Sequence, residues 1–258
     1  MFRLSKHCFL LYNTLQKGSV KMENRYASRI EKVQMSSIRV VMEKVEKLRS
    51  QGKSVVSLCA GEPDFNTPEG IKKATIEALN DNQTHYSSNR GYLGLRKKVA
   101  HLLKEQTTID YDSDTEIIMT CGCSEAINNV CQAFINKDDE VIIFTPAFVS
   151  YQNTVLLCQG IPVEIPLKLS LGFQIDIEEV KNKITKKTKM IILNNPNNPT
   201  GAVYQKETLE QLCKLARENN ILILADEIYN QLDYENQYVS IASFENMKDY
   251  TIIVNGFS

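Results

Sequence analysis

Four short runs with almost no polar residue, Val141 to Phe144, Met190 to Leu193, Ile221 to Ala225 and Thr251 to Val254, limit what this chain can fold into more than anything else in it. A strand of this kind has no face to give to water, so it belongs in a sheet covered on both sides. The segments between the runs have a different period. Leu209, Leu212, Cys213 and Ala216 recur at i, i+3, i+4 and i+7, the stripe of a helix packed on such a sheet. A helix near 148 to 158 follows the first run. Ahead of it, a strand Ile117 to Thr120 leads into a helix with Ala126, Ile127, Val130, Cys131 and Phe134 on one face. The alternation predicts an α/β fold with a mainly parallel sheet flanked by helices.

Upstream, residues 26 to 50 have helical periodicity through Ile30, Val33, Val41, Val45 and Leu48, closing near Gly52, and Val55 to Leu58 reads as a short strand. The loop Gly61-Glu62-Pro63-Asp64-Phe65-Asn66-Thr67-Pro68 leads to a helix over 69 to 80, for which Thr67 is the expected N-cap and Pro68 the first helical residue. Residues 1 to 22 carry Arg3, Lys6, Lys17 and Lys21 with no acid before Glu23, and read as a disordered extension or a misassigned start. The apolar patch from Cys8 to Leu11 is short for a secretory signal.

The formal net charge of -1 and the absence of a basic stripe argue against a nucleic-acid partner and suit small neutral or zwitterionic ones. No run reaches the roughly 18 apolar residues of a membrane-spanning helix. The seven cysteines are odd in number, and none of His7, His85 or His101 adjoins the pair Cys121 and Cys123 at a zinc-ligand spacing. Buried thiols in a reducing compartment, with no metal site, are the expectation, and the cytoplasm is the expected location.

In a parallel sheet, ligands bind beyond the carboxyl ends of the strands. Five such ends carry the notable residues: Cys121-Gly122-Cys123, Pro146-Ala147-Phe148, Asn198, Asp226 and Gly256-Phe257-Ser258. Asp226 closes an apolar run, so its carboxylate is expected to be desolvated and to need a positive or donating partner, such as a protonated pyridine nitrogen. A Walker B acid has the same local pattern but requires a phosphate loop after an earlier strand. Gly52-Lys53-Ser54 matches only the tail of that loop, with Lys47 at the first glycine position, and it precedes a strand. Gly122-Cys123-Ser124 joins a strand to a helix, where free amides and the helix dipole hold phosphate, although Ser124 serves equally as a simple cap. Phe148 could stack on a planar ring or belong to the core. Asn198 lies in a turn stiffened by Pro199 and Gly201, and Tyr229 follows Asp226 by three residues; both could donate to a ring oxygen.

Taken together, Gly61 to Pro68, Tyr86 with Gly91-Tyr92-Leu93-Gly94-Leu95-Arg96, Asn197-Asn198-Pro199-Thr200-Gly201 and Asp226-Glu227-Ile228-Tyr229 resemble the fold-type-I pyridoxal phosphate enzymes, specifically class I/II aminotransferases of the aspartate and aromatic kind. The resemblance covers roughly residues 23 to 258. It implies an N-terminal arm of the small domain over 23 to 66 and a pyridoxal phosphate-binding major domain over 67 to 258, incomplete at its C-terminus. The implied activity is transfer of an amino group from an amino acid to a 2-oxo acid, in a homodimer. By resemblance, Gly61 would lie near the substrate carboxylate, with Asn198 also in the substrate site, and Tyr86 would reach the cofactor phosphate of the neighbouring subunit. Gly122, Cys123 and Ser124 would form the phosphate cup, and Phe148 would stack on the ring. Asn198 and Tyr229 would hold the ring 3-oxygen, and Asp226 would keep the ring nitrogen protonated.

Three departures stand against the pattern. Ala147 occupies a position where relatives often have an aromatic residue, and Gly256 one where many have a phosphate-binding serine. The lysine that carries the cofactor is expected directly after Ser258, and the carboxylate-gripping arginine further on. The chain as written is therefore expected not to transaminate. A non-catalytic remnant that binds the cofactor weakly or pairs with an intact homologue, and a fold-type-I β-lyase, are the alternative readings.

Overall fold

In the computed structural model, which describes residues 27–33, 37–59, 61 and 65–257, the apolar runs do become adjacent parallel strands. The chain divides into two units, Met1–Val33 and Gln34–Ser258. Of the first, the described part is a 3-10 turn, Ser28–Lys32, with no buried residue. The proposed extension over 1 to 22 lies outside the described residues, as do Glu62 to Asp64 and Ser258.

The second unit contains α1 (Ser37–Ser50), α2 (Glu69–Asn80), α3 (Leu93–Thr107), α4 (Cys123–Phe134), β1 (Glu140–Thr145), α5 (Ser150–Leu157), β2 (Ile161–Pro166), α6 (Ile177–Lys183), β3 (Thr188–Asn194), α7 (Lys206–Glu218), β4 (Leu222–Asp226) and β5 (Thr251–Val254). The sheet has five strands in the order β2-β1-β3-β4-β5, and every pairing is parallel. Asn194 is level with Asp226, and Asp226 with Val254, so neighbouring strands end together.

The apolar runs are explained by what covers each face. Ile142 and Phe144 of β1, Ile191 and Leu193 of β3, and Ile223 and Ala225 of β4 meet α7 through Leu209, Leu212 and Ala216, and α6 through Ile177 and Val180. Their alternates, Val141, Ile143, Met190, Ile192 and Leu224, meet α4 through Ile127 and Cys131, and α5 through Tyr151 and Val155. Both faces of each central strand are thus desolvated, which leaves the ligand site only at the strand ends.

Several expectations are corrected. Residues 26 to 50 are not one helix: Val33 is extended, and α1 begins at Ser37. Its closure at Gly52 is as expected, with φ +77° and the amides of Gly52 and Lys53 returning to the carbonyls of Arg49 and Leu48. Val55 to Leu58 forms no strand. The Val55 carbonyl is taken by the Arg49 guanidinium at 3.1 Å, and Val56 and Leu58 are 85% and 93% exposed. Ile117 to Thr120 also stays outside the sheet; its Met119 amide donates to the Arg90 carbonyl instead of to a strand. The α2 helix spans the expected 69 to 80, but its cap is corrected: Pro68, and not Thr67, is the N-cap, its carbonyl accepting from Ile71 and Lys72, and no side chain caps the helix.

The sequence reading did not identify β2, α3 and α6. Pro162, Glu164 and Pro166 obscure the strand pattern of β2, which pairs only with β1 and lies at the sheet edge. The Ile161 and Leu167 amides donate inward to the Asp139 and Thr145 carbonyls. The seven-residue α6 is fixed by Asp176, whose carboxylate accepts from the Glu178 and Glu179 amides.

Directly after β4, Glu227 ties three segments together. Its amide donates to the Val254 carbonyl of β5 at 2.8 Å, and its carboxylate accepts from the Ser240 hydroxyl at 2.8 Å. Burial pushes its carboxyl from 4.5 up to about 7. A folded-state value above the unfolded one means that the contribution of this acid to stability is fully present below about 4.5 and lost as pH rises through about 7. Urea unfolding should show a loss on the order of 3 kcal/mol from this group across that window. Glu227→Gln should flatten that part of the pH profile. In the opposite face's support, Leu212→Ala should lower unfolding free energy by about 2–5 kcal/mol, read as a lower urea midpoint.

Candidate functional site

At the carboxyl ends of β1, β3 and β4, beside the start of α4, a cavity of about 230 Å³ opens. Its walls come from separate elements: Cys121 to Ser124 and Ile127, then Phe148 and Tyr151, then Asn198, and finally Asp226, Ile228 and Tyr229. Seven of the residues singled out in the sequence, Gly122, Cys123, Ser124, Phe148, Asn198, Asp226 and Tyr229, therefore share one cavity. Gly61 and Tyr86 do not line it, and Tyr86 lies on the surface, 106% exposed. The five strand ends expected to converge are corrected to three, those of β1, β3 and β4, with one unpaired segment: residues 117–120 never join the sheet, and Gly256 and Phe257 after β5 do not line the cavity.

Asp226 is only 4% exposed although it faces the cavity. Its Oδ2 accepts from the Tyr151 hydroxyl at 2.7 Å and its Oδ1 from the Ile228 amide at 3.3 Å. Burial raises its carboxyl above the ordinary range, and these two donors pull it back down. No cationic side chain of the described residues acts on it. A carboxylate placed this way costs free energy until a positive group arrives.

The loop after β3 is bolted to the end of β4. The Asn194 amide group donates to the Asp226 backbone carbonyl at 3.0 Å, and its oxygen accepts from the Asn198 amide at 2.7 Å. That fixes Asn198, whose Nδ2 lies 3.1 Å from the Tyr229 hydroxyl. Two donors converge on one spot of the cavity wall, reached from two different strand ends.

Gly122 precedes α4 with φ +85°, in the left-handed region that favours glycine, and no side chain caps the helix. The first-turn amides of Cys123 and Ser124 are thereby free for an anion, and the helix dipole reinforces them. Burial first, and the charge of Asp226 second, push the Cys123 thiol up to about 11, so it remains a neutral wall and not a nucleophile. Phe148 meets Tyr151 edge to face, with centroids 5.8 Å apart. A Cβ on Gly256 would come within 3.1 Å of the tip of the Ile228 side chain, which would have to shift by a few tenths of an ångström, and within ordinary contact of Cys123 at 3.5 Å.

The sequence reading missed Tyr151, Asn194 and Ile228. Tyr151 follows Phe148, which lies just ahead of α5, by three residues, but no motif marks it. Asn194 directly follows the apolar run Met190 to Leu193 with nothing local to mark its role, and Ile228 contributes through its backbone. Among the described residues no group of His, Cys, Asp or Glu is arranged to hold a metal ion, and no helix is long and apolar enough to cross a membrane.

Comparison with known proteins agrees with this arrangement. The family described as aminotransferase class I and II matches residues 53–258. The chain is 38% identical over 239 residues to a probable aspartate/prephenate aminotransferase of Aquifex aeolicus, covering 92% of this chain and 60% of that protein. It is 42% identical over 207 residues to an aspartate aminotransferase of Pyrococcus abyssi, covering 80% of this chain and 53% of that protein. The solved aspartate aminotransferase of Thermus thermophilus with maleate superposes with a TM-score of 0.86 at 38% identity, over 90% of this chain and 60% of that one. The chain thus spans between half and two thirds of the length of these relatives. With both faces of a parallel sheet covered and the strand ends gathered around Asp226, this chain belongs to the class I and II aminotransferase family.

Proposed function

We propose that the chain carries the pyridoxal 5'-phosphate site of an aminotransferase that moves an amino group from an amino acid to a 2-oxo acid. The observation that carries this reading is Asp226, a buried carboxylate facing a cavity without a cationic partner among the described residues. A protonated pyridine nitrogen is the complement it needs. The rest of the donor set fits the same molecule. Free amides at the start of α4, with Gly122 and the Ser124 hydroxyl, would take the phosphate. Asn198 and Tyr229, already 3.1 Å apart, would take the ring oxygen. Phe148 would cover a ring face.

When bound, the cofactor supplies an electron sink for the substrate's α carbon. The chain's own groups orient it and exclude water. Asp226 holds the proton at the ring nitrogen, and Ile127 and Phe148 dry the cavity wall. The relatives named for aspartate and aromatic amino acids support an amino acid as donor, and the name prephenate, a 2-oxo acid, supports a 2-oxo acid as acceptor. In the same reading, Gly61 and Asn198 serve the substrate, residues 23–66 form an arm of a small domain, and Tyr86, fully exposed here, serves the site of a second copy in a homodimer. Free cysteines support a reducing, cytoplasmic location.

Equilibrium dialysis of the chain with pyridoxal 5'-phosphate tests the assignment. Asp226→Ala should weaken binding at least about a hundredfold, the effect of breaking a buried charge pair; unchanged affinity would sink the ring contact. Asn198→Ala and Tyr229→Phe should each cost roughly three- to tenfold. Pyridoxal without its phosphate should bind much more weakly than the phosphorylated form, and equal affinities would remove the α4 cup from the site.

A further inference from the structure

Tyr151 has the shortest contact to Asp226, yet no motif includes it. It is 2% exposed, held in the first turn of α5 with its ring edge against Phe148. Its hydroxyl lies 2.7 Å from one carboxylate oxygen while the Ile228 amide approaches the other at 3.3 Å. The two donors come from different elements, α5 and the chain after β4, so the carboxylate cannot rotate without breaking one of them. A phenol this deep has no water to turn to, and Asp226 is the partner it has.

We propose that Tyr151 is a positioning residue: its hydroxyl orients the Asp226 carboxylate and holds it ionised, so that the cavity presents one fixed negative charge to a cationic ring nitrogen. The choice of that ligand rests on the reading above; the hold on Asp226 rests on the protein alone.

The groups facing Asp226 leave this task to Tyr151. Cys123 approaches from α4 and stays a neutral thiol, and Glu227, next in the chain, binds Ser240. Tyr229, beyond the turn, pairs with Asn198. Against the burial that favours a neutral acid stand only the Tyr151 hydroxyl and the Ile228 amide. A hydroxyl donating to a carboxylate is the stronger of these two kinds of donor. The phenol itself is kept protonated, first by burial and then by the charge of Asp226, so it donates across the whole working pH range.

The test needs no ligand in its first arm. The chain is labelled with carbon-13 at aspartate carboxyls, the Asp226 signal is identified from Asp226→Asn, and the pH titration is compared between wild type and Tyr151→Phe. The Asp226 midpoint should rise by about one pH unit in Tyr151→Phe, with other aspartates unmoved. An unmoved or lowered midpoint overturns the proposal. Should Tyr151→Phe disturb folding, the wild type alone decides: the ring carbon bearing the Tyr151 hydroxyl should titrate with the same midpoint as Asp226, and the lack of a shared midpoint overturns the proposal. In a second arm, dialysis with pyridoxal 5'-phosphate across the same pH range should show affinity falling as pH drops through the Asp226 midpoint. In Tyr151→Phe that fall should come at correspondingly higher pH. A wild type that never binds the cofactor, with the carboxyl titration behaving as expected, removes the ligand and keeps the role of Tyr151. Binding with an unmoved titration removes the role of Tyr151 and keeps the ligand.

Discussion

A charge that cannot reach water organises this protein. Asp226 is carried to the last position of a strand whose preceding residues, Ile223, Leu224 and Ala225, are fully buried. Its neighbours are placed around it by the same sheet: β3 ends level with it, so Asn194 bonds its backbone, and β5 ends level with it, so the next residue bonds Val254. The cost of desolvating one carboxylate is offset in part by converging donors from α5 and from the turn after β4, and those same donors give the cavity a defined shape.

The site depends on the fold in a specific sense. Because helices cover both faces of β1, β3 and β4, these strands leave room for a ligand only at their ends. Strand β1 has β2 on one side and β3 on the other: the chain leaves β1 through α5 to reach β2, then returns past β1 through α6 to β3, and Phe148 and Tyr151 enter the crevice at the carboxyl end of β1. Each residue of the site is short-range to its own strand end and long-range to every other, and Tyr151 and Asp226 are 75 positions apart.

That separation also explains what could be read from the sequence. The apolar runs at 141 to 144, 190 to 193, 221 to 225 and 251 to 254 announce themselves because a doubly covered strand needs every position apolar. Asp226, Asn198 and Tyr229 were legible because each breaks an apolar or proline-bounded pattern. The runs at 55 to 58 and 117 to 120 have the same composition as true strands, but strand identity requires a neighbour, and composition carries no information about who lies alongside. The Arg49 guanidinium and the Arg90 carbonyl take the bonds that a sheet would have used. Tyr151 was hidden for the opposite reason: nothing local distinguishes a tyrosine that packs from one that also donates.

The outer strand β2 shows how an open sheet edge is kept safe. Its odd-numbered ends, Ile161 and the following Leu167, donate inward to the chain of β1, so the alternation of a strand turns the even positions outward. Those positions are Pro162, Glu164 and Pro166, and two of the three have no amide hydrogen to offer. A stray extended segment meeting this rim would find a single amide, that of Glu164, and no ladder to climb. The prolines that hid β2 from sequence reading are the ones that hinder strand addition at this edge of the sheet.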